Sequence, residues 1–151
     1  KMIGKDGISK IVLKNTLPII NNEINRLLNG VTDFDVEVAM NAKNDVDFWL
    51  IRDGVKTRLS GSSGLERTQA ALALRVVLLI QLCKPDFVLL DEVLGGVAKE
   101  NYDDMKKLYD KIVKNFRFIL HICHLPEWVD YHDSIVTVQK VNNISSIKAY
   151  Q

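Results

Sequence analysis

Several features of specialised protein classes are missing from the 151 residues of this chain. No apolar run approaches the roughly 20 residues that span a bilayer, and residues Lys1–Asp6 lack the apolar segment of a signal peptide. A net charge of +1 excludes a strong overall attraction to nucleic acid or anionic lipid. The two cysteines, Cys83 and Cys123, lie in apolar segments and are expected to be reduced core residues rather than a disulfide framework. We therefore expect a cytoplasmic protein without a membrane partner.

The composition is otherwise that of an ordinary globular domain, with 47% hydrophobic and 26% charged residues. A chain of this length can bury one sizeable core. Neither an internal repeat nor a low-complexity tract interrupts it. Because the first residue is a lysine, we expect the chain to be a piece of a longer protein.

The first third of the chain predicts a long helix followed by antiparallel strands. Apolar residues recur at helical spacing over Ile8–Leu28, where Pro18 should kink or restart the helix and Asn29-Gly30 should end it. The next segments alternate or are β-branched, with Asp53-Gly54 as a hairpin turn. The predicted strands are 34–40, 46–52 and 55–59.

The rest of the chain predicts a mixed α/β fold. A small flexible loop of serine and glycine, 60–64, opens into a nearly apolar helix that should be buried on most sides. Helices and strands then alternate until a closing hairpin that turns at Asn142-Asn143. The predicted elements are a helix over 65–82, a strand over 87–92, a helix over about 98–115, a strand over 117–123, a short helix from 125, and hairpin strands over 134–141 and 145–150.

The most informative stretch is Phe87–Glu92, four apolar residues followed by two acids. The run predicts a strand buried on both faces in a parallel sheet. Ligands bind at the carboxyl ends of such strands, which is where Asp91 and Glu92 fall. One carboxylate can hold a cation while the other takes a proton from water. The alternative is a solvated turn that begins with two acids.

Two further segments fit a site at the same edge of the sheet. The serine–glycine loop before a helix can bind an anion through backbone N–H groups, although Ser63 can equally be a plain N-cap. His124 ends the next strand and reaches Glu92 if the two strands are neighbours; the alternative is a structural histidine. A zinc site at His121, Cys123 and His124 is disfavoured, because His124 faces away from the other two in a strand.

These residues resemble a known family, and the resemblance covers nearly all of the chain. Ser63–Arg67 and Ala71–Arg75 are similar to the serine–glycine signature and its helix in the ATP-binding heads of ABC-type chromosome and DNA-repair ATPases. These are the SMC proteins and the SbcC-type repair and recombination ATPases, with their phage relatives. Leu65 stands where a second glycine is usual, and Leu59–Gly61 resembles an earlier copy of the signature at the wrong distance from Arg75.

The resemblance implies a role for each site residue. The segment Phe87–Glu92 resembles the Walker B strand, in which Asp91 supports Mg²⁺ through water and Glu92 polarises the attacking water. His124 resembles the switch histidine that senses the γ-phosphate of ATP. The signature residues Ser63 and Gly64 would touch the γ-phosphate held by an opposite head. Glu66 would belong to the same nucleotide-binding signature.

The next segment, Gly95–Ala98 with Asn101, resembles the family's D-loop, and its departures bear on hydrolysis. Ala98 replaces an expected aspartate, and Val93 stands where proline or glycine is common. A second interpretation of the chain is a non-hydrolysing architectural or regulatory head, in which Ala98 and Leu65 mark a degenerate site used for binding only. An ABC transporter nucleotide domain is a third, disfavoured by the helix that precedes the lobe and by the closing segments.

No G-x-x-x-x-G-K-[ST] loop occurs in the chain. By resemblance, that loop lies in an N-terminal lobe beyond a long coiled coil, so this chain would be the C-terminal half of a P-loop NTPase head, inactive alone. Residues 1–30 would be the root of the coiled-coil arm and 31–151 the lobe. The implied partners are the N-terminal lobe, a second head joined through ATP, DNA and a nuclease subunit. The protein would be associated with the nucleoid.

Overall fold

The computed structural model describes residues 8–94 and 96–150 of the chain. Its first element is the helix α1, Ile8–Leu28, with the bounds that the sequence predicts. The helix runs without a break through Pro18, so the predicted restart does not occur. It ends at Asn29-Gly30 as expected, where Gly30 takes a left-handed φ of +73°. Asp6-Gly7 lies outside the described residues, as do the side chains of Ile8 and Ile11.

A three-stranded antiparallel sheet follows, in the order β1 (Asp35–Met40), β2 (Val46–Arg52) and β3 (Val55–Arg58). The β2–β3 turn is Asp53-Gly54, with φ values of +50° and +75°. Two left-handed residues in a row are the geometry of a tight hairpin, which confirms the predicted turn.

Two asparagines of α1 attach the helix to the backbone of β1. The Asn25 side chain accepts the N–H of Val36 at 2.8 Å and donates to its carbonyl at 3.0 Å. One helical turn earlier, the Asn21 side chain makes the same pair with Val38, at 2.8 and 3.0 Å. The amide side chains therefore act as a hydrogen-bonded edge for a strand that would otherwise present unpaired backbone groups to the helix.

The second half contains the helices and the parallel strands. Helix α2 covers Gly64–Leu82 and helix α3 covers Tyr102–Val113. Strands β4 (Phe87–Asp91) and β5 (Phe118–Ile122) pair in parallel, from Phe87 opposite Phe118 to Asp91 opposite Ile122. Helix α3 is shorter than predicted because its first turn, Lys99–Asn101, is a 3-10 turn. Similar turns cover 59–61 and 126–131.

One face of the parallel pair is not covered by the part of the chain that the structure describes. Val88 and Leu90 point into the core, whereas their neighbours on β4 and the alternate residues of β5 are 45–62% exposed. The exposed residues are Phe87, Leu89, Phe118, Leu120 and Ile122. The prediction of a strand buried on both faces is therefore wrong for this chain, since α2 and α3 lie against one face only. We call these five side chains the open apolar face.

The core joins α1, α2 and α3 to the inner faces of both sheets, around fully buried Ile24, Met105, Leu108 and Ile112. Helix α2 is buried along one side only, and its C-terminal Leu82 is 74% exposed. Both cysteines are free thiols as predicted, but Cys83 is exposed because it caps the outer end of α2. Its assignment to the core is therefore wrong.

The chain closes with the predicted hairpin, β6 (Val136–Val141) and β7 (Ile144–Tyr150). Asn142 and Asn143 form its turn, both with left-handed φ. Within residues 8–94 and 96–150, no helix has the length and apolar character needed to cross a membrane. The observed order is that of the predicted mixed α/β fold: helix, antiparallel strands, helix, parallel strands with helices, and hairpin.

Candidate functional site

The two acids that end β4 lie at the rim of the parallel sheet. Asp91 is the last residue of the strand and is exposed. Glu92 follows with a left-handed φ of +46°, and its N–H donates to the carbonyl of Ile122 at 2.9 Å. That hydrogen bond continues the ladder between β4 and β5 by one residue, so the backbone of Glu92 is held while its side chain remains in solvent. A left-handed glutamate is uncommon and is a feature that recurs at functional sites.

His124 lies two residues beyond β5, next to Glu92. Its Nδ1 is 3.2 Å from Oε1 of Glu92, and both side chains are more than half exposed. The contact requires the tautomer or charge state in which Nδ1 carries a proton and donates it to the carboxylate. The structure thus brings together the carboxylate and the imidazole that the sequence places at the ends of two neighbouring strands.

Ser63 is the N-cap of α2 and forms a capping box with Glu66. The Ser63 N–H donates to Oε2 of Glu66 at 2.7 Å, and Oγ of Ser63 accepts the N–H of Glu66 at 3.3 Å. The alternative prediction, that Ser63 is an N-cap, is therefore confirmed. Among the described residues, the Ser63 hydroxyl donates its own proton to no acceptor, which leaves that proton available to a ligand.

The loop before Ser63 is fixed by its own contacts. Ser62 Oγ donates to the carbonyl of Leu59 at 2.7 Å. The Arg67 guanidinium reaches back from α2 to the carbonyls of Ser60 and Ser62, at 3.2 and 3.0 Å. The predicted flexible loop is thus a tight turn in which the carbonyls of Leu59, Ser60 and Ser62 accept hydrogen bonds.

The serine turn lines a cavity of about 390 Å³ with Arg52 and Arg58 of β2 and β3. Glu66 is part of the wall, and hydrogen bonding from Arg52 holds the pKa of this carboxyl below its usual value. Asp91, Glu92 and His124 are not among the lining residues. The predicted site therefore falls into two groups: Asp91, Glu92 and His124 at the sheet rim, and Ser63, Gly64 and Glu66 at the start of α2.

An ion pair that the sequence did not suggest joins the segments that follow Glu92 and His124. The ammonium group of Lys99 contacts Oε1 of Glu127. The contact raises the pKa of Lys99 and lowers that of Glu127. Of the D-loop-like segment, Ala98 is exposed and Gly95 lies outside the described residues.

His121, one of the three residues of the disfavoured zinc site, belongs to an inner aromatic cluster. Its Nδ1 is 2.9 Å from Nε2 of His132, and the two rings stack with centroids 5.1 Å apart. Tyr109 and Trp128 pack against the same ring. Burial and the neighbouring His132 lower the pKa of His121 to about 4. Within the described part of the chain, no cluster of three or more His, Cys, Asp or Glu residues is arranged to hold a metal ion.

Comparison with known sequences finds a distant relative. No protein-family model matches the chain. The uncharacterised protein R555 of Acanthamoeba polyphaga mimivirus is 24% identical over 165 residues, which cover 97% of this chain. The same alignment covers 12% of R555, so this chain spans about an eighth of the length of that curated relative.

Solved structures with the same fold include SMC heads. A structure from work on ATP-driven dimerization and DNA-stimulated activation of SMC ATPases has a TM-score of 0.77 at 15% identity, covering 92% of this chain and 88% of that one. The SMC head domain of Thermotoga maritima has a TM-score of 0.66 at 23% identity, over 98% and 56% of the two chains. An Smc head with an extended coiled coil from Pyrococcus furiosus, bound to the C-terminal domain of ScpA, has a TM-score of 0.71 at 17% identity, over 94% and 37%.

Proposed function

We propose that this chain, which has the fold of an SMC-type ABC ATPase head segment, is the C-terminal half of an ATP-hydrolysing head in an SMC- or SbcC-type DNA repair or recombination ATPase. The observation that carries the proposal is the 3.2 Å contact between Glu92 and His124 at the carboxyl ends of neighbouring parallel strands. Such strand ends are where open α/β sheets bind their ligands.

The rim residues have the chemistry that phosphoryl transfer to water requires. Glu92 accepts a proton from the attacking water, and His124, which hydrogen bonds to that carboxylate, orients it and contacts the γ-phosphate. Both side chains are exposed, so a nucleotide can approach them. Catalysis of this kind is positioning and electrostatic stabilisation, since the protein forms no covalent bond to the phosphoryl group.

Asp91 fits the role of a water-mediated Mg²⁺ ligand. It is an exposed carboxylate next to Glu92, and Mg²⁺ is commonly held by one or two carboxylates with substrate phosphates and water. A single carboxylate is therefore a sufficient protein contribution when ATP supplies the other oxygens. The ion would neutralise charge that develops on the phosphates.

The open apolar face is where we place the N-terminal lobe of the same head, with its phosphate-binding loop. Its five side chains lie on the parallel pair that carries Asp91 and Glu92. A parallel sheet is normally covered on both faces, and an exposed apolar patch of this kind is a site of association. The cover would also bring the nucleotide to the rim.

A second head explains why the predicted site is divided. Ser63 and Gly64 would bind the γ-phosphate held by the opposite head, so they need not lie beside Glu92. The Ser63 hydroxyl donates to no acceptor among the described residues, which supports this role. A Cβ added at Gly64 would meet nothing within 4 Å, so the packing of this chain does not require glycine there, whereas close approach of a phosphate does.

The remaining features of the proposal concern the whole protein. Residues 1–30 would form the root of a coiled-coil arm, and 31–151 the lobe. Closure of two heads on ATP would move the arms and control access to DNA or to a nuclease subunit. The protein would be cytoplasmic and associated with the nucleoid.

The test is the substitution Glu92→Gln in the complete ATPase. We expect ATP binding to persist while single-turnover hydrolysis slows by about 10²-fold or more, the contribution of a general base. Glu23→Gln, the same change at an α1 carboxylate far from the rim in sequence, is the control. A wild-type rate for Glu92→Gln would refute the assignment.

The second candidate is a non-hydrolysing architectural or regulatory head, favoured by Ala98 in place of the expected aspartate. The same single-turnover measurement separates the two, because such a head would bind ATP and close without hydrolysing it even with Glu92 intact.

A further inference from the structure

Arg52 connects the antiparallel sheet to the serine turn. It is the last residue of β2, and its Nη2 donates to Oδ1 of Asp33 at 2.9 Å and to Oε1 of Glu66 at 2.5 Å. Asp33 lies in the segment before β1, and Glu66 lies in the first turn of α2. The Asp33 side chain is 75% exposed, whereas that of Glu66 is 16% exposed. The contact with Glu66 is therefore the better shielded of the two and the stronger constraint.

Each carboxylate oxygen of Glu66 has a separate partner. Oε1 accepts from Arg52, and Oε2 accepts the backbone N–H of Ser63 at 2.7 Å. The two oxygens belong to one planar, rigid carboxylate. The Arg52 guanidinium that binds Oε1 therefore also fixes the position of Oε2 relative to the Ser63 N–H. The hydrogen bond that the Glu66 N–H donates to Ser63 Oγ is long at 3.3 Å. The backbone N–H of Ser63 is thus held by the Glu66 side chain, while the Ser63 carbonyl accepts the N–H of Arg67 at 3.1 Å.

We propose that Arg52 is a positioning residue for Ser63, acting through Glu66 to set where the serine hydroxyl and the Gly64 N–H are presented at the start of α2. The effect of this positioning on catalysis rests on the function proposed above, in which the signature serine binds phosphate. The structural part, control of Ser63 by Arg52, rests only on the contacts of Arg52 with Asp33 and Glu66 and on the contact of the Glu66 carboxylate with the Ser63 N–H.

The geometry favours arginine over lysine at this position. One guanidinium nitrogen serves two carboxylates while the guanidinium lies 5.8 Å from the centroid of the Phe34 ring. Nε of Arg52 is buried and has no hydrogen-bond partner among the described residues. The planar guanidinium can lie against an aromatic ring and is pre-organised for its hydrogen bonds, whereas a lysine ammonium is a strongly hydrated point charge on a flexible stem and would hold the two acids less rigidly.

The first measurement is hydrogen exchange of the Ser63 amide in this chain. We expect Arg52→Met to accelerate it about tenfold, the effect of losing a charge-assisted hydrogen-bond network, while the Val38 amide, which Asn21 binds, keeps its protection. Arg26→Met, which removes an exposed arginine paired with Glu23, is the matched control and should change neither amide. Unchanged Ser63 exchange in folded Arg52→Met would overturn the proposal.

Two further variants test the route through Glu66. In Arg52→Met/Glu66→Gln, exchange at Ser63 should be no faster than in Glu66→Gln alone, because the route is already interrupted. If the double variant accelerates exchange by the product of the two single effects, Arg52 acts on Ser63 by another route and the proposal is overturned. Arg52→Lys should restore part of the protection, and it replaces Arg52→Met in every arm if the latter does not fold.

The second measurement is ATP hydrolysis by the complete ATPase. Arg52→Met should lower kcat about tenfold with KM for ATP changed by less than about twofold, since the serine acts after nucleotide binding. On a Ser63→Ala background the same change should have no further effect. If Ser63→Ala hydrolyses ATP at the wild-type rate, the proposed function of the serine fails, and Arg52 is judged by exchange alone. If Ser63→Ala lowers kcat and Arg52→Met does not, the positioning role is wrong. It is also wrong if the two losses of kcat multiply in the double variant.

Discussion

Glu92 adopts a left-handed backbone conformation, and its carboxylate lies 3.2 Å from Nδ1 of His124 on the neighbouring strand end. A non-glycine residue with positive φ costs about 1 kcal/mol or more relative to a relaxed backbone. The contact between two exposed side chains returns little of that cost, because exposed pairs are weak in water. The conformation therefore makes sense as preparation of the rim for a ligand rather than as a source of stability.

The first prediction follows from that strain. Glu92→Asn should raise the free energy of unfolding of this chain by about 0.5 kcal/mol, because asparagine tolerates left-handed φ better than glutamate. The same variant should lose ATP hydrolysis in the complete ATPase. Denaturation with urea measures the first effect and single-turnover kinetics the second.

Lys84 provides a matched control, since it is exposed and also left-handed, with φ of +45°. Lys84→Asn should give a similar gain in stability and leave hydrolysis unchanged. If Glu92→Asn destabilises the chain while Lys84→Asn stabilises it, the contact with His124 outweighs the strain and our account of this residue is wrong.

The second prediction concerns the attachment of α1 to β1. Asn25→Ala removes two hydrogen bonds of 2.8 and 3.0 Å and leaves the backbone N–H and carbonyl of Val36 without partners. We expect a loss of about 2 kcal/mol in the free energy of unfolding, the usual cost of orphaned, partly buried polar groups. Asn22→Ala, at an exposed position of the same helix, should be neutral or slightly stabilising. Equal effects of the two substitutions would show that the asparagine contacts contribute nothing specific.

Much of this architecture was predictable from local patterns. The helix α1, the strand β2 and both hairpin turns lie where periodicity and the pairs Asp53-Gly54 and Asn142-Asn143 put them. The meeting of Glu92 with His124 was predictable as well, because parallel neighbouring strands bring their carboxyl ends to one edge. These features depend on short sequence windows or on a single topological rule.

The rest depends on distances in space that no local pattern encodes. Arg52 and Glu66 are joined only because the end of β2 lies against the first turn of α2. Lys99 and Glu127 meet because two loops leave the same rim. The apolar run in β4 correctly predicts a strand, but the same run wrongly predicts that both of its faces are buried within this chain, because a local pattern does not encode what packs on each face.

The third prediction is a pH dependence of stability that originates at His121. Its pKa is lowered to about 4 in the folded chain, against about 6.5 for an unfolded histidine. Below pH 6.5 the unfolded chain therefore binds more protons at this residue than the folded chain does. Stability is fully present above pH 6.5 and is lost as the pH falls toward 4, with a slope of at most about 1.4 kcal/mol per pH unit.

The test compares urea denaturation between pH 4 and 7 in the wild type and in His121→Gln. We expect the variant to lose part of the slope, because glutamine does not titrate, while His124→Gln at the exposed rim should retain it. The carboxyls of Glu66 and Glu127, whose pKa values are lowered by Arg52 and Lys99, contribute a slope of the same sign in all variants. Only the difference between variants therefore reports on His121. Identical slopes in the wild type and His121→Gln would contradict the low pKa.

The fourth prediction distinguishes the two faces of the parallel strands. Leu89 and Leu120 are about half exposed on the open apolar face, whereas Leu90 is 5% exposed in the core. Leu89→Thr and Leu120→Thr should change the free energy of unfolding of this chain by less than about 1 kcal/mol, whereas Leu90→Thr should cost about 3 kcal/mol. In the complete ATPase, the difference between the two faces should narrow, because the proposed N-terminal lobe would bury Leu89 and Leu120. In the complete head, Leu89→Thr and Leu120→Thr should each lower the free energy of unfolding by about 2 kcal/mol or more and weaken ATP binding. Denaturation of the chain and of the complete head, compared variant by variant, measures the change, and an equal, small effect of Leu89→Thr in both would mean that this face remains in solvent.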